Sequence, residues 1–202
     1  MAKATRSVGK RAAVLAAAQD AFLELGYGAA SMDSVAARAG VSKATIYAHF
    51  PGKSALFGAV IAARCEQAFA GLDLPSVEAM DAPAALGLIA RRILDLLLSP
   101  ESLAMYKVVT GEAARMPEMA EAFYAAGPAA AKAAIVGALA DLDRRGQLRV
   151  ADPELASELL VGMLKGDIHL RHLLGLPDGG RDRERIVEAV VRVMLRAYAP
   201  GD

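Results

Sequence analysis

Seven polar side chains and one methyl between positions 31 and 53 have the chemistry of a duplex-contacting surface: Ser31, Ser42, Lys43, Ala44, Thr45, Tyr47, His49 and Lys53. Short hydroxyls, a phenol, an imidazole and a tethered ammonium suit phosphate oxygens. Helix N-terminal amides at Met32–Asp33 and Lys43–Ala44 would add to them. A lysine can donate to guanine O6 and N7, and an alanine methyl can meet the methyl of thymine. Lys43, Ala44 and Tyr47 are therefore the candidates for base edges, the others for the backbone.

Positioning such groups requires two short helices and a tight turn. Ser31 is a hydroxyl cap ahead of a helix whose apolar face is Val35, Ala36 and Ala39. Gly40 stands where a helix needs a left-handed residue to stop. Val41 plugs the corner, and Ser42 caps a second helix from Lys43 to Phe50. Ile46 and Phe50, four apart, share its buried side, so that Lys43, Ala44, Thr45, Tyr47 and His49 point elsewhere. This is a helix-turn-helix plan, with a second helix that fits a major groove.

The run from Ala39 to Phe57, AGVSKATIYAHFPGKSALF, resembles the DNA-binding signature of TetR-type transcriptional repressors, with Thr45, Tyr47, His49, Phe50 and Lys53 in order. The resemblance implies an all-helical, homodimeric, ligand-responsive DNA-binding protein. Three further pieces, Gly111–Pro128, Asp152–Leu160 and Lys165–Gly175, resemble the C-terminal domain of the AefR-like branch. The plan this implies is a three-helix head over residues 1–52 and a helical effector-binding and dimerisation body over 53–202, about nine helices in all.

Composition agrees with that reading. The 202-residue chain is 55% hydrophobic and 23% charged, which suits a folded all-α protein. Its formal charge of zero hides an asymmetry. Residues 1–64 hold eight basic and three acidic side chains, a net +5, and the remainder holds fifteen and twenty, a net −5. A basic head on an acidic body is the footprint of phosphate contact at one end. Cys65 stands alone, so no disulfide framework is expected, and a reducing cytoplasm fits. Lys3, Arg6, Lys10 and Arg11 ahead of AAVLAAA imitate a leader peptide, but Asp20 and Glu24 follow within the same helical period. No uncharged apolar run reaches the ~18 residues of a membrane helix.

Along the chain, residues 1–7 are expected as an arm and Val8–Leu25 as the first helix, stopped by Gly26. Arg6, Lys10 and Arg11 are either phosphate contacts or solvated charges. A fourth helix should run from Lys53 to about Gly71, carrying Leu56, Phe57, Val60, Ile61 and Phe69, with a linker from Leu72 to Pro83. Asp81 with Pro83, Ser99-Pro100-Glu101 and Asp152-Pro153-Glu154 read as helix starts. Met116-Pro117 and Gly127-Pro128 read as breaks, and Gly146 and Gly175 as stops. The last two helices, with Leu160, Leu164, Val187, Val191 and Met194, are expected to form the dimer seam; the small pair Gly162 and Gly166 would let helices approach closely, either there or in an intrachain contact.

Met105, Tyr106, Val109, Met119, Phe123, Tyr124 and Met163 could line a cavity for an apolar or aromatic effector, or simply pack the core. Glu112 and Arg115 could orient a polar ligand or form a surface pair. Asp167, His169 and His172 share a helix but lack a third metal ligand at suitable spacing, so no metal is expected. Neither is a cofactor: nucleophile–base pairs and phosphate-binding loops are missing from the sequence, which argues against an enzyme. The function expected is a repressor released from a palindromic operator by a small molecule; the alternative is a sequence-indifferent DNA-coating protein.

Overall fold

Short polar residues start most of the helices, and the computed structural model, which describes residues 2–68 and 80–200, shows how. The helices are α1 (Ala2–Ala29), α2 (Met32–Arg38), α3 (Lys43–His49), α4 (Lys53–Ala68), α5 (Ala82–Leu98), α6 (Pro100–Glu112), α7 (Pro117–Tyr124), α8 (Ala130–Arg144), α9 (Pro153–Leu173) and α10 (Arg183–Ala197). A π-helical turn, Ala125–Ala129, joins α7 to α8; counting Pro117–Arg144 as one run makes nine helices among the described residues. Among the described residues every regular element is helical, as composition and spacing implied.

All three polar-proline starts cap their helices. Asp81 accepts from the Ala84 amide at 2.9 Å, Ser99 from Ser102 at 3.2 Å and Asp152 from Leu155 at 3.0 Å, each cap contributing about 1 kcal/mol. Gly40, at φ +64°, ends α2 in the left-handed conformation its position demanded.

Two expectations are corrected. The chain is helical from Ala2, so α1 replaces the arm expected at residues 1–7. Gly127-Pro128 does not break the chain: proline cannot donate an i→i−4 bond, and the wider π turn carries it through. Helix α9 runs between its expected start at Asp152 and stop at Gly175, with a kink at Gly166 (φ 37°). Phe69, the end of the fourth helix at Gly71, and the linker up to residue 79 lie outside the described residues.

Two compact units emerge. The first joins Met1–Arg64 with Ala104–Pro128, the second Cys65–Leu103 with Ala129–Asp202. In the first, Phe22, Tyr27 and Phe57 are buried together, Phe22 and Phe57 edge-on with centroids 5.1 Å apart and Tyr27 and Phe57 edge-on at 5.2 Å. The second is aliphatic: Leu86, Leu94, Leu139, Leu142, Leu160 and Leu164 are among its fully buried side chains. By length and composition Pro117–Arg144 could cross a membrane. It carries Glu118, Glu121 and Lys132, however, and Glu154 and Glu158 hold the Lys132 ammonium at 2.6 and 2.8 Å.

Candidate nucleic-acid interface

Ile46 is fully buried and Phe50 nearly so, and this seats α3 with its other side outward. Lys43, Ala44, Tyr47 and His49 are exposed there, Tyr47 at 45%. Ser31 and Ser34 form a reciprocal capping box: Ser31 Oγ accepts from the Ser34 amide at 3.0 Å, and Ser34 Oγ accepts from the Ser31 amide at 3.1 Å. Ser42 Oγ accepts from the Thr45 amide at 3.2 Å and pairs with Thr45 Oγ1 at 2.8 Å. Such caps use hydroxyl lone pairs. The Ser31 proton, and one proton of the Ser42–Thr45 pair, are left for an outside acceptor.

Four cations of this region are already engaged. Lys43 Nζ lies 2.7 Å from Asp33 on α2, and that hydrogen bond holds its pKa above the ordinary lysine value. Arg38 pairs with Glu24 at 2.6 Å, which raises the arginine pKa and lowers that of the carboxyl. The Arg11 guanidinium stands 5.8 Å from the centre of the Phe50 ring. Lys53, expected as a phosphate donor, is committed elsewhere: Nζ donates to the carbonyls of Tyr27, Gly28 and Ala30 at 2.7, 3.2 and 3.0 Å. An ammonium has three protons, and three carbonyls accept them.

The turn those carbonyls belong to was missed as a functional feature. Glu112, expected to orient a ligand or to pair with Arg115, instead accepts from the amides of Tyr27 at 3.1 Å and Gly28 at 2.8 Å. Burial first, then Glu118 and Glu112, raises the Tyr27 phenol pKa and keeps it neutral. The signal in the sequence was Gly26-Tyr27-Gly28, a glycine pair around a large aromatic residue. Asp33, which orients Lys43, was also missed; it sits at the acidic-favouring start of α2.

The effector candidates are only partly assembled. Met105, Val109 and Met119 are buried, and Tyr106 meets Phe123 edge-on at 6.3 Å. Tyr124 is 61% exposed. Met163 packs against the aliphatic core of the second unit. Of the residues weighed for metal, Asp167 is held by Arg171 at 2.7 Å and Arg181 at 3.0 Å, which lowers its pKa. His172 Nδ1 is 2.9 Å from the Ile168 carbonyl, and His169 is buried.

The expected dimer seam needs correction. Leu160, Leu164, Val187 and Met194 are buried within the protein's own core, so a partner cannot reach them. The exposed apolar side chains of α9 and α10 are instead Leu155, Leu159, Leu170 and Val193, with Leu174 just beyond α9. Gly162 and Gly166 share that exposure, and an added Cβ at either would meet nothing within 4 Å.

Comparison with known proteins bears on this arrangement directly. A model of bacterial regulatory proteins of the tetR family matches residues 14–60, and a model of the C-terminal domain of AefR-like transcriptional repressors matches residues 84–200. The chain belongs to the TetR family. Two solved structures resemble it nearly end to end. One is the flavonoid-responsive regulator FrrA, 34% identical over 96% of this chain and 98% of its own, with a TM-score of 0.77. Another is a TetR-family regulator from Mesorhizobium loti MAFF303099, 31% identical over 96% and 98%, with a TM-score of 0.76. The activator FasR from Mycolicibacterium smegmatis (strain ATCC 700084 / mc(2)155) is 41% identical over 63 residues, and the chain spans only 29% of its length. In this TetR-family regulator, α2 and α3 are the helix-turn-helix of a DNA-binding protein.

Proposed function

We propose that this regulator is a homodimeric repressor that grips a two-fold-symmetric operator and releases it when an apolar or aromatic effector binds. The observation that carries the reading is the outward face of α3, where Lys43, Ala44 and Tyr47 stand exposed beside the capped starts of α2 and α3. Residues 1–52 would serve as the reading head, and 53–202 as the effector and dimer body. Ser31, Ser42, Thr45 and His49 take phosphates, while Lys53 acts by tying the head together.

Dimerisation is supported by the Leu155, Leu159, Leu170 and Leu174 stripe with its two open glycines, an apolar surface that water disfavours. A two-fold dimer would supply two heads for two half-sites, which lie about 34–36 Å apart on one face of a duplex. The match of residues 84–200 to AefR-like repressors favours repression over activation. FrrA is named for its response to flavonoids, and the Tyr106–Phe123 pair in this chain is suited to stacking on a planar ring. A cytoplasmic location goes with the lone cysteine and with DNA as target.

Selection of bound duplexes from a random pool at near-physiological salt tests the reading. A palindromic site is expected; equal retention of all sequences would point to non-specific coating instead. On the selected site, Tyr47→Ala should abolish binding while the circular dichroism spectrum stays helical. Undiminished affinity in that variant would discard the assigned contact face.

A further inference from the structure

The C-terminal turn of α1 is gripped from two sides. Glu112, the last residue of α6, takes its amides at Tyr27 and Gly28; Lys53, the first residue of α4, takes its carbonyls at Tyr27, Gly28 and Ala30. The fit is close. A Cβ on Gly26 would stand 2.7 Å from Glu112 Oε1, and one on Gly28 would stand 3.3 Å from Oε2 and 3.1 Å from the Met116 methyl. The chain then passes through Ala30 to Ser31, the cap of α2. Wherever the turn is held, the first helix of the helix-turn-helix begins.

Glu112 also sits at the end of a lever. Met105 and Val109 are seven and three residues before it on α6, hence on the same side of the helix, and both are buried. N–H···O bonds of this kind span about 2.7–3.2 Å and no longer count as bonds at ~3.6 Å. Helix displacements of about 1–2 Å, common in switching proteins, would release both amides together. The grip is held here, and its release by such a displacement would supply the second arrangement that a two-state coupling element needs.

We propose that Glu112 is a positioning residue that transmits displacement of α6 to the helix-turn-helix, so that head orientation depends on whether its carboxylate holds the Tyr27 and Gly28 amides. The inference rests on the DNA-binding and effector reading above, and names the contact by which that regulation would run.

The test compares wild-type protein with Glu112→Gln and Glu112→Ala on the selected duplex and on a scrambled one, alongside amide hydrogen exchange without DNA. Affinity for the selected duplex should fall about tenfold in Glu112→Gln and further in Glu112→Ala, the size of a lost charge-assisted hydrogen bond. Affinity for the scrambled duplex should stay within about twofold, since phosphate attraction does not depend on head orientation. Exchange at Tyr27, Gly28 and the first turn of α2 should accelerate in the same order. A purely structural role predicts parallel loss on both duplexes, in step with the folded fraction read by thermal melting. That result, or undiminished selected-site affinity in Glu112→Ala, would overturn the proposal; melting shows whether the alanine variant folds, and the glutamine variant carries the test if it does not. Failure of wild-type protein to prefer any duplex would sink the functional reading instead, and leave the exchange data to decide whether the grip controls the start of α2.

Discussion

The two compact units are built round different cores. In the first, an edge-on aromatic cluster sits with reciprocal serine caps and the Glu112 and Lys53 grips on one turn. In the second, α5, α8, α9 and α10 share an aliphatic core of leucine, isoleucine, valine and alanine. A hydrogen bond specifies an angle and a distance; burial of methyl groups rewards proximity and tolerates small slides. Reading base edges requires an oriented helix, and the directional unit is the one that carries α3. The aliphatic unit supplies bulk stability and leaves a leucine stripe outside.

Leucines within the second unit make the sharpest break of that comparison. Leu159 and Leu170 are 49% and 53% exposed, whereas Leu160 and Leu164 are buried. Charging the outer pair with Leu159→Glu and Leu170→Glu should weaken the proposed dimer by more than about a hundredfold, each carboxylate opposing burial by several kcal/mol. Sedimentation should report a folded monomer with poor operator affinity; an unaltered dimer would place the seam elsewhere. Truncating an inner residue acts differently. Leu139→Ala, at a fully buried site, should cost about 2–5 kcal/mol of unfolding free energy in urea melts. It should leave the ratio of selected-to-scrambled DNA affinity unchanged, because the side chains that cap and seat α3 lie in the first unit.

Gly26→Ala attacks the directional unit. Gly26 sits at φ 77° and ψ 166°, a conformation essentially reserved for glycine, and the new methyl would press on Glu112. A loss of about 1–3 kcal/mol in stability is expected from the backbone alone. The distinguishing outcome is operator affinity falling by more than the folded fraction accounts for. Equal falls would mean that the turn matters only for folding.

Local signals explain what could be read from the sequence. Every cap foreseen, from Ser31 to Asp152, is a short-range hydrogen bond between residues three apart, and the Ile46–Phe50 face follows from helical period. Such features need no knowledge of the fold. The partners of Lys53 and Glu112 lie 23 or more residues away, so residue type suggested a phosphate for one and a ligand for the other. The seam leucines failed for a related reason. Helical spacing finds an apolar face on α9, but Leu159 and Leu160 are adjacent, and only tertiary packing decides which side faces inward. Pro128 misled because proline signals an interruption without saying whether the chain turns away or widens into a π turn.

The smallest effect comes from a polar exception inside the aliphatic unit. His169 is buried on α9, and its pKa is lowered, chiefly by burial and then by Lys165 and His172. In the folded chain the imidazole takes up its proton at a lower pH than in the unfolded chain, which does so near the ordinary histidine value of about 6.5. Below that pH the unfolded state binds more protons, so stability falls as acid is added; above it the group has no effect. The slope contributed is at most about 1.4 kcal/mol per pH unit. Melting temperatures measured between about pH 7.5 and 5.5 should therefore drop on the acid side, and His169→Gln should flatten the part of the curve that this group supplies. An identical slope in the variant would mean that the acid sensitivity lies in other groups, and that an imidazole can sit in this unit without being forced neutral.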